Sequence, residues 1–156
     1  METGFTFRAQ PALDIRKREF DARRRDLGTA ERELLMARQL FDETAQALTD
    51  AHRNASQTLA HAGIEQYIWH RVWIDRVERA KAAHAVSVAQ RQDDVAKAAA
   101  ACQAAKQRLD AMEKLKEKAR LTWEREMSLR EQRELDELAS MRFVAGRRAL
   151  MSGRAL

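Results

Sequence analysis

Residues 52–63 read HRNASQTLAHAG, and the glycine that closes this run decides the fold. On its N-terminal side, large apolar residues recur every seven positions at Leu13, Phe20, Leu27, Leu34, Phe41 and Leu48, with Ala55 closing the series. A seven-residue repeat of this kind is the buried seam of a coiled coil. Three residues after each lie Arg16, Arg23, Ala30, Ala37, Thr44 and Ala51, so large side chains alternate with small or long-stemmed ones along one face. On the C-terminal side a second, wetter seam places Ile74, Lys81, Val88, Val95, Cys102 and Leu109 at position a. Its d positions are Val77, His84, Arg91, Ala98, Ala105 and Met112. Between the seams the periodicity weakens and stops at Gly63, where a turn belongs.

The composition agrees. The chain has one proline, Pro11, and five glycines, and 82 residues separate Gly63 from Gly146 without either helix breaker. Val and Ile together number only ten, which excludes a sheet domain. Charged residues make up 34%, and Ala, Leu, Glu, Lys, Arg and Gln dominate, as in long helices with a heptad repeat. The pattern predicts one elongated all-α domain over 1–156. It comprises a helix over about 12–59, a turn over about 60–63, a helix over about 64–141 and a flexible tail over 142–156.

Two antiparallel helices stack a residues on d residues. Folding the chain between Ala62 and Gly63 stacks Leu13 on Met112, Phe20 on Ala105, Leu27 on Ala98, Leu34 on Arg91, Phe41 on His84 and Leu48 on Val77. Ala30/Val95, Ala37/Val88, Thr44/Lys81 and Ala51/Ile74 interleave with these. Large repeatedly faces small, as close packing prefers. Registers shifted by seven obey the heptad equally well, and only the position of the glycine selects this one. The fold class is therefore a long antiparallel two-helix coiled-coil hairpin with an overhanging C-terminal helix. Residues from Lys114 to about Met141 have no partner strand, an overhang of about 42 Å at 1.5 Å per residue. Past Met112 the seam carries Lys116, Glu126, Arg130 and Arg133, with only Ala119 and Trp123 apolar.

Several function classes are disfavoured. A single cysteine, Cys102, allows no internal disulfide and no CxxC pair, and reads as a small seam hydrophobe in a reducing cytoplasm. No stretch approaches 18 apolar residues, and METGFTFRAQ lacks the basic and apolar regions of a secretory signal. The net charge of +5 arises from 29 basic and 24 acidic residues mixed along the chain, the pattern of solvated helix faces rather than of a nucleic-acid footprint. A phosphate-binding loop, HExxH and GxSxG are all absent, and a two-helix hairpin encloses no pocket. His70 and His84 lie about 21 Å apart along a helix, too far to share a metal. No catalytic residue, cofactor, metal or small-molecule substrate is expected.

Two segments stand out. In YIWHRVW, residues 67–73, the side chains of Tyr67, Trp69, Val72 and Trp73 spread around the helix, so they cannot all face the first helix. They either close the hairpin end against residues 52–63 or form a partner-binding patch, on which Trp73, Val77, Ala80 and His84 make one stripe. The second is EQRELDELA, residues 131–139, a charged run on the overhang. An isolated helix of that length is marginally stable without tertiary support, which makes contact with another protein its natural use.

Phe5 and Phe7, QYIWHRVWIDRVERA in mid-chain, LDAMEKLKEKA at 109–119 and EQRELDELA at 131–139 together resemble the FliJ family, small coiled-coil proteins of the flagellar type III export apparatus. The resemblance covers about residues 5–141. It implies an antiparallel two-helix stalk, monomeric alone, that associates with the hexameric export ATPase and the membrane-embedded export gate and escorts export chaperones. It also implies a cytoplasmic protein held peripherally at the inner membrane. The overhang with Glu131, Gln132, Asp136 and Glu137 would then meet the ATPase ring. The hinge end with Trp69, Trp73, Val77, Ala80 and His84 would meet the gate. Met112, Met127 and the Ala-rich VAKAAAACQAAK depart from the usual pattern. Other readings are the equivalent stalk of a virulence injectisome, a structural coiled coil pairing in parallel without a hinge, and a nucleic-acid binder built on Arg23 to Arg25 and the basic tail.

Overall fold

The computed structural model describes the backbone of residues 4–152 and the side chains of residues 4–148. Two helices account for nearly all of it: α1, Gln10–His61, and α2, Ile64–Ser152. The described residues contain no strand. The protein is an all-α helical hairpin of two long helices packed against each other, as the heptads predict.

Pro11 sits in the first turn of α1, where a missing N–H costs nothing. At the other end the Ala62 N–H donates to the Thr58 carbonyl at 2.8 Å, and Gly63 follows with φ of +92°. L side chains are strained in that conformation, and glycine reverses the chain without cost. The Gly63 carbonyl then accepts from the Tyr67 N–H at 3.4 Å, so one residue ends α1 and opens α2. Glu65 lies in the first turn of α2, where the helix dipole favours an anion.

The backbone divides into two compact units where the sequence reads as one elongated domain. The unit spanning residues 16–108 holds the hinge. Ala51, Ala55 and Ile74 form its buried cluster, with Leu48 and Tyr67 packed on it. The Ala51/Ile74 packing selects the expected register over those displaced by seven. Polar pairs continue it along the seam. Arg91 reaches Glu33 at 2.8 Å, Arg108 reaches Glu19 at 3.0 Å, and Thr58 and His70 Nε2 hydrogen-bond at 2.9 Å. The wet a and d positions are accommodated by long side chains that leave their stems in the seam. Lys81 places its ammonium 5.8 Å from the centre of the Phe41 ring, and Lys106 lies 5.6 Å from that of Phe20. Arg23, although at a d position, is exposed.

The second unit comprises residues 1–15 and 109–156. Leu13 and Leu109 are buried in it and Met112 is half-buried. Residues 4–9, just ahead of α1, are non-helical, and Phe5, Phe7 and Ala9 are half-buried while Thr6 and Arg8 are exposed. The Phe5 ring packs 6.0 Å from that of Trp123, tilted by 55°. Lys116, Ala119, Trp123 and Met127 are correspondingly half-buried. The unpartnered stretch therefore does not begin at Lys114, because the N-terminal segment covers α2 as far as Trp123. From residue 128 to residue 148 every side chain is exposed.

The second correction concerns the tail. α2 continues to Ser152, well past the expected end at about 141, so residues 142–152 are helical. One helix-interior glycine, Gly146, costs about 1 kcal/mol against alanine, too little to end a helix flanked by Ala, Arg and Leu. The expected flexible residues 153–156 lie outside the described residues.

Candidate partner-binding surfaces

Exposed apolar side chains occur along both helices, and two of the surfaces that carry them, one in each unit, coincide with the segments singled out in the sequence. Near the hinge, the first three turns of α2 carry Ile64, Ile68, Trp69, Val72 and Trp73, all more than half exposed. Trp69 is 76% exposed and Trp73 51%, large values for indole side chains on a surface. Trp69, Val72, Trp73, Asp75, Arg76 and Arg79 line one shallow groove, and Arg79 is ion-paired to Asp75 one turn back.

The expected stripe of Trp73, Val77, Ala80 and His84 is only partly a surface. Val77 is 6% exposed and belongs to the helix seam, as its d position requires. Ala80 and His84 are half-buried at the seam edge. Trp69 and Trp73 do face solvent, and Val72 and Ile68 accompany them. Val72 belongs to the aromatic cluster already named, and Ile68, which was not, sits on the same helix at a position that no heptad seam uses.

The second surface is the end of α2. Glu131, Gln132, Asp136 and Glu137 are all exposed there, together with Leu129, Leu135, Leu138, Met141, Phe143 and Val144. Ser140, Met141, Val144, Ala145 and Arg148 line a groove along one side of the helix. Phe143 is 70% exposed. Just before this segment, Arg120 donates to Glu117 at 2.8 Å and to Glu124 at 2.6 Å. The Arg120 guanidinium holds the Glu117 carboxyl below the ordinary carboxylate range, and Glu117 in turn raises the Arg120 pKa. These i, i+3 and i, i+4 pairs support the helix where the covering segment ends.

Elsewhere the charged pairs divide between the seam and single exposed helix faces. In the hinge unit the Glu19 carboxyl titrates low, chiefly because Arg16 donates to it at 2.7 Å, with Arg108 adding its charge across the helices. Asp93 raises the Lys97 pKa by a hydrogen bond one turn away. Among the described residues no three His, Cys, Asp or Glu side chains gather to hold a metal ion, and Cys102 is half-buried. Among the same residues no helix is long and apolar enough to cross a membrane.

A family model described as flagellar FliJ protein matches residues 6–148. The chain belongs to the FliJ family. The match runs from Thr6 through both heptad seams and the hinge to the exposed end of α2, so both candidate surfaces of this FliJ chain lie inside it. Membership gives the protein a flagellar, type III export-related role. No curated protein and no solved structure matches the chain.

Proposed function

We propose that this FliJ-family protein is the non-enzymatic central stalk of the flagellar export apparatus, coupling the hexameric export ATPase to the export gate. The observation that carries this reading is the end of α2, where every side chain from residue 128 to residue 148 is exposed. An isolated helix is marginal in water, and one that also exposes Leu135, Leu138, Met141 and Phe143 calls for a partner. Glu131, Gln132, Asp136 and Glu137 supply the polar contacts to the ring. Trp69, Val72 and Trp73 supply the apolar anchor for the gate, since bulky aromatic side chains dominate interface energetics.

The mechanism needs no bond chemistry in this chain. A single helix inside a sixfold ring touches the subunits unequally, so it stabilises some nucleotide states over others and couples turnover to the position of the stalk. An effector shifts such an equilibrium only by its differential contacts, and those contacts are what residues 128–148 provide. Escort of export chaperones and peripheral placement at the inner membrane belong to the same reading. It includes no nucleic acid and no small-molecule substrate.

The test is stimulation of the cognate ATPase. A chain ending at Met127 retains the hinge unit and the Phe5/Trp123 packing but should no longer raise ATP hydrolysis, and the four-fold variant E131A/Q132A/D136A/E137A should raise it less than the parent chain. Full stimulation by the shortened chain would overturn the proposal.

A further inference from the structure

We infer that the exposed end of α2 pairs with the same segment of a second copy of this chain, antiparallel, and so covers Leu138 and Met141 when no other partner is present. The proposal does not depend on the stalk reading. It rests on how charge is distributed along the fully exposed helix. Residues 131–137 carry Glu131, Glu134, Asp136 and Glu137 against one Arg133. From Leu138 to Ser152 there is no acidic residue, while Arg142, Arg147 and Arg148 follow. The apolar residues Leu138 and Met141 lie at the boundary, 51% and 61% exposed. A helix that is acidic in one half, basic in the other and apolar at its midpoint is complementary to its own reverse.

Helical spacing makes this specific. Glu131, Glu134, Leu138, Met141, Ala145 and Arg148 follow one another at intervals of three and four and so share one face. A two-fold axis between Ala139 and Ser140 sets Leu138 against Met141 of the second copy, Glu134 against Ala145 and Glu131 against Arg148. Each pairing occurs twice, as an isologous interface requires. The parallel arrangement is disfavoured by the same residues, because it stacks Glu131 on Glu131, Glu134 on Glu134 and Arg148 on Arg148. The paired length from 131 to 148 is about 27 Å at 1.5 Å per residue. Two helices of that length bury on the order of 1,000 Å², the lower limit for a specific interface, so the dimer is weak.

Sedimentation equilibrium of the full chain between about 5 and 500 µM provides the test. We expect a monomer–dimer equilibrium that weakens at least about five-fold between 0.05 and 0.5 M salt, as exposed charge pairs are screened. Glu131→Arg and Arg148→Glu should each weaken it about ten-fold or more, and the double variant should restore it to within about three-fold. Circular dichroism checks that each variant keeps the helicity of the parent. Orientation is read in a Cys102→Ser chain carrying Glu134→Cys or Ala145→Cys. A mixture of the two should form a disulfide dimer, while neither alone should, since two copies of residue 134 would lie about 16 Å apart and a disulfide needs Cα atoms within about 7 Å. A chain that stays monomeric throughout, a charge exchange that fails to rescue, or cross-linking of the Glu134→Cys chain with itself would each overturn the proposal.

Discussion

The Phe5 ring lies 6.0 Å from the Trp123 ring, tilted by 55°, and this pair fastens the non-helical N-terminal segment to α2. Tilted aromatic pairs at this distance add about 0.5–1.5 kcal/mol to the area they cover. Phe5→Ala should therefore loosen the segment and expose Trp123. In a Trp69→Phe/Trp73→Phe background, where Trp123 is the sole tryptophan, the substitution should shift its emission to the red and speed amide exchange over residues 109–127. Unchanged emission would mean that the pair contributes nothing in solution.

The glycines offer a paired prediction. A Cβ at Gly63 meets no atom within 4 Å, so the cost of Gly63→Ala is conformational alone, about 1–2 kcal/mol for holding φ at +92°. Gly28 lies inside α1, where a Cβ would meet only the mobile end of Arg32 at 3.7 Å. Gly28→Ala should stabilise by about 0.5–1 kcal/mol. Thermal melts of the two variants should move in opposite directions.

Val77 and Trp69 separate seam from surface. Val77→Ala removes two methyl groups from a buried position and should cost about 1–2 kcal/mol. Trp69→Ala changes an exposed side chain and should leave stability within about 0.5 kcal/mol. If Trp69 anchors the gate, its removal should weaken capture of the gate protein while the melting temperature stays put.

Acid should act through Glu19. Its folded-state pKa is depressed, so its contribution is complete above the ordinary carboxylate value of 4.5 and disappears as pH falls through the lowered value. The stability difference between the parent chain and Glu19→Gln should be constant near neutrality and shrink steadily as the solution is acidified below about pH 4.5. A difference that grows with acid would reverse the assignment.

The hairpin was readable because two independent signals coincided. The heptads fixed which faces pack but left the register free by sevens, and Gly63 removed that freedom. Ala51, Ala55 and Ile74 accordingly cluster where the repeat puts them. The site was less legible where one residue satisfied two patterns. Val77 is both a d residue and a member of the aromatic stripe, and burial in the seam took precedence over the surface. Phe5 and Phe7 escaped the periodic reading because a non-helical segment of alternating exposure leaves no heptad trace. The helicity of residues 142–152 left little trace because the heptad has faded there and residues 142–156 carry two glycines and four arginines, although the neighbours of Gly146 are good helix formers.

The fastening of Phe5 to Trp123 also brings the segment just ahead of α1 beside the start of the exposed helix. Residue 128 lies five positions beyond Trp123, about 7.5 Å along α2. A bulky group attached at the exposed Thr6 would sit where an incoming partner must approach, and would mask binding that the unlabelled chain supports. A small fluorophore in the same place would turn that proximity into a reporter, its emission changing whenever residues 128–148 become occupied.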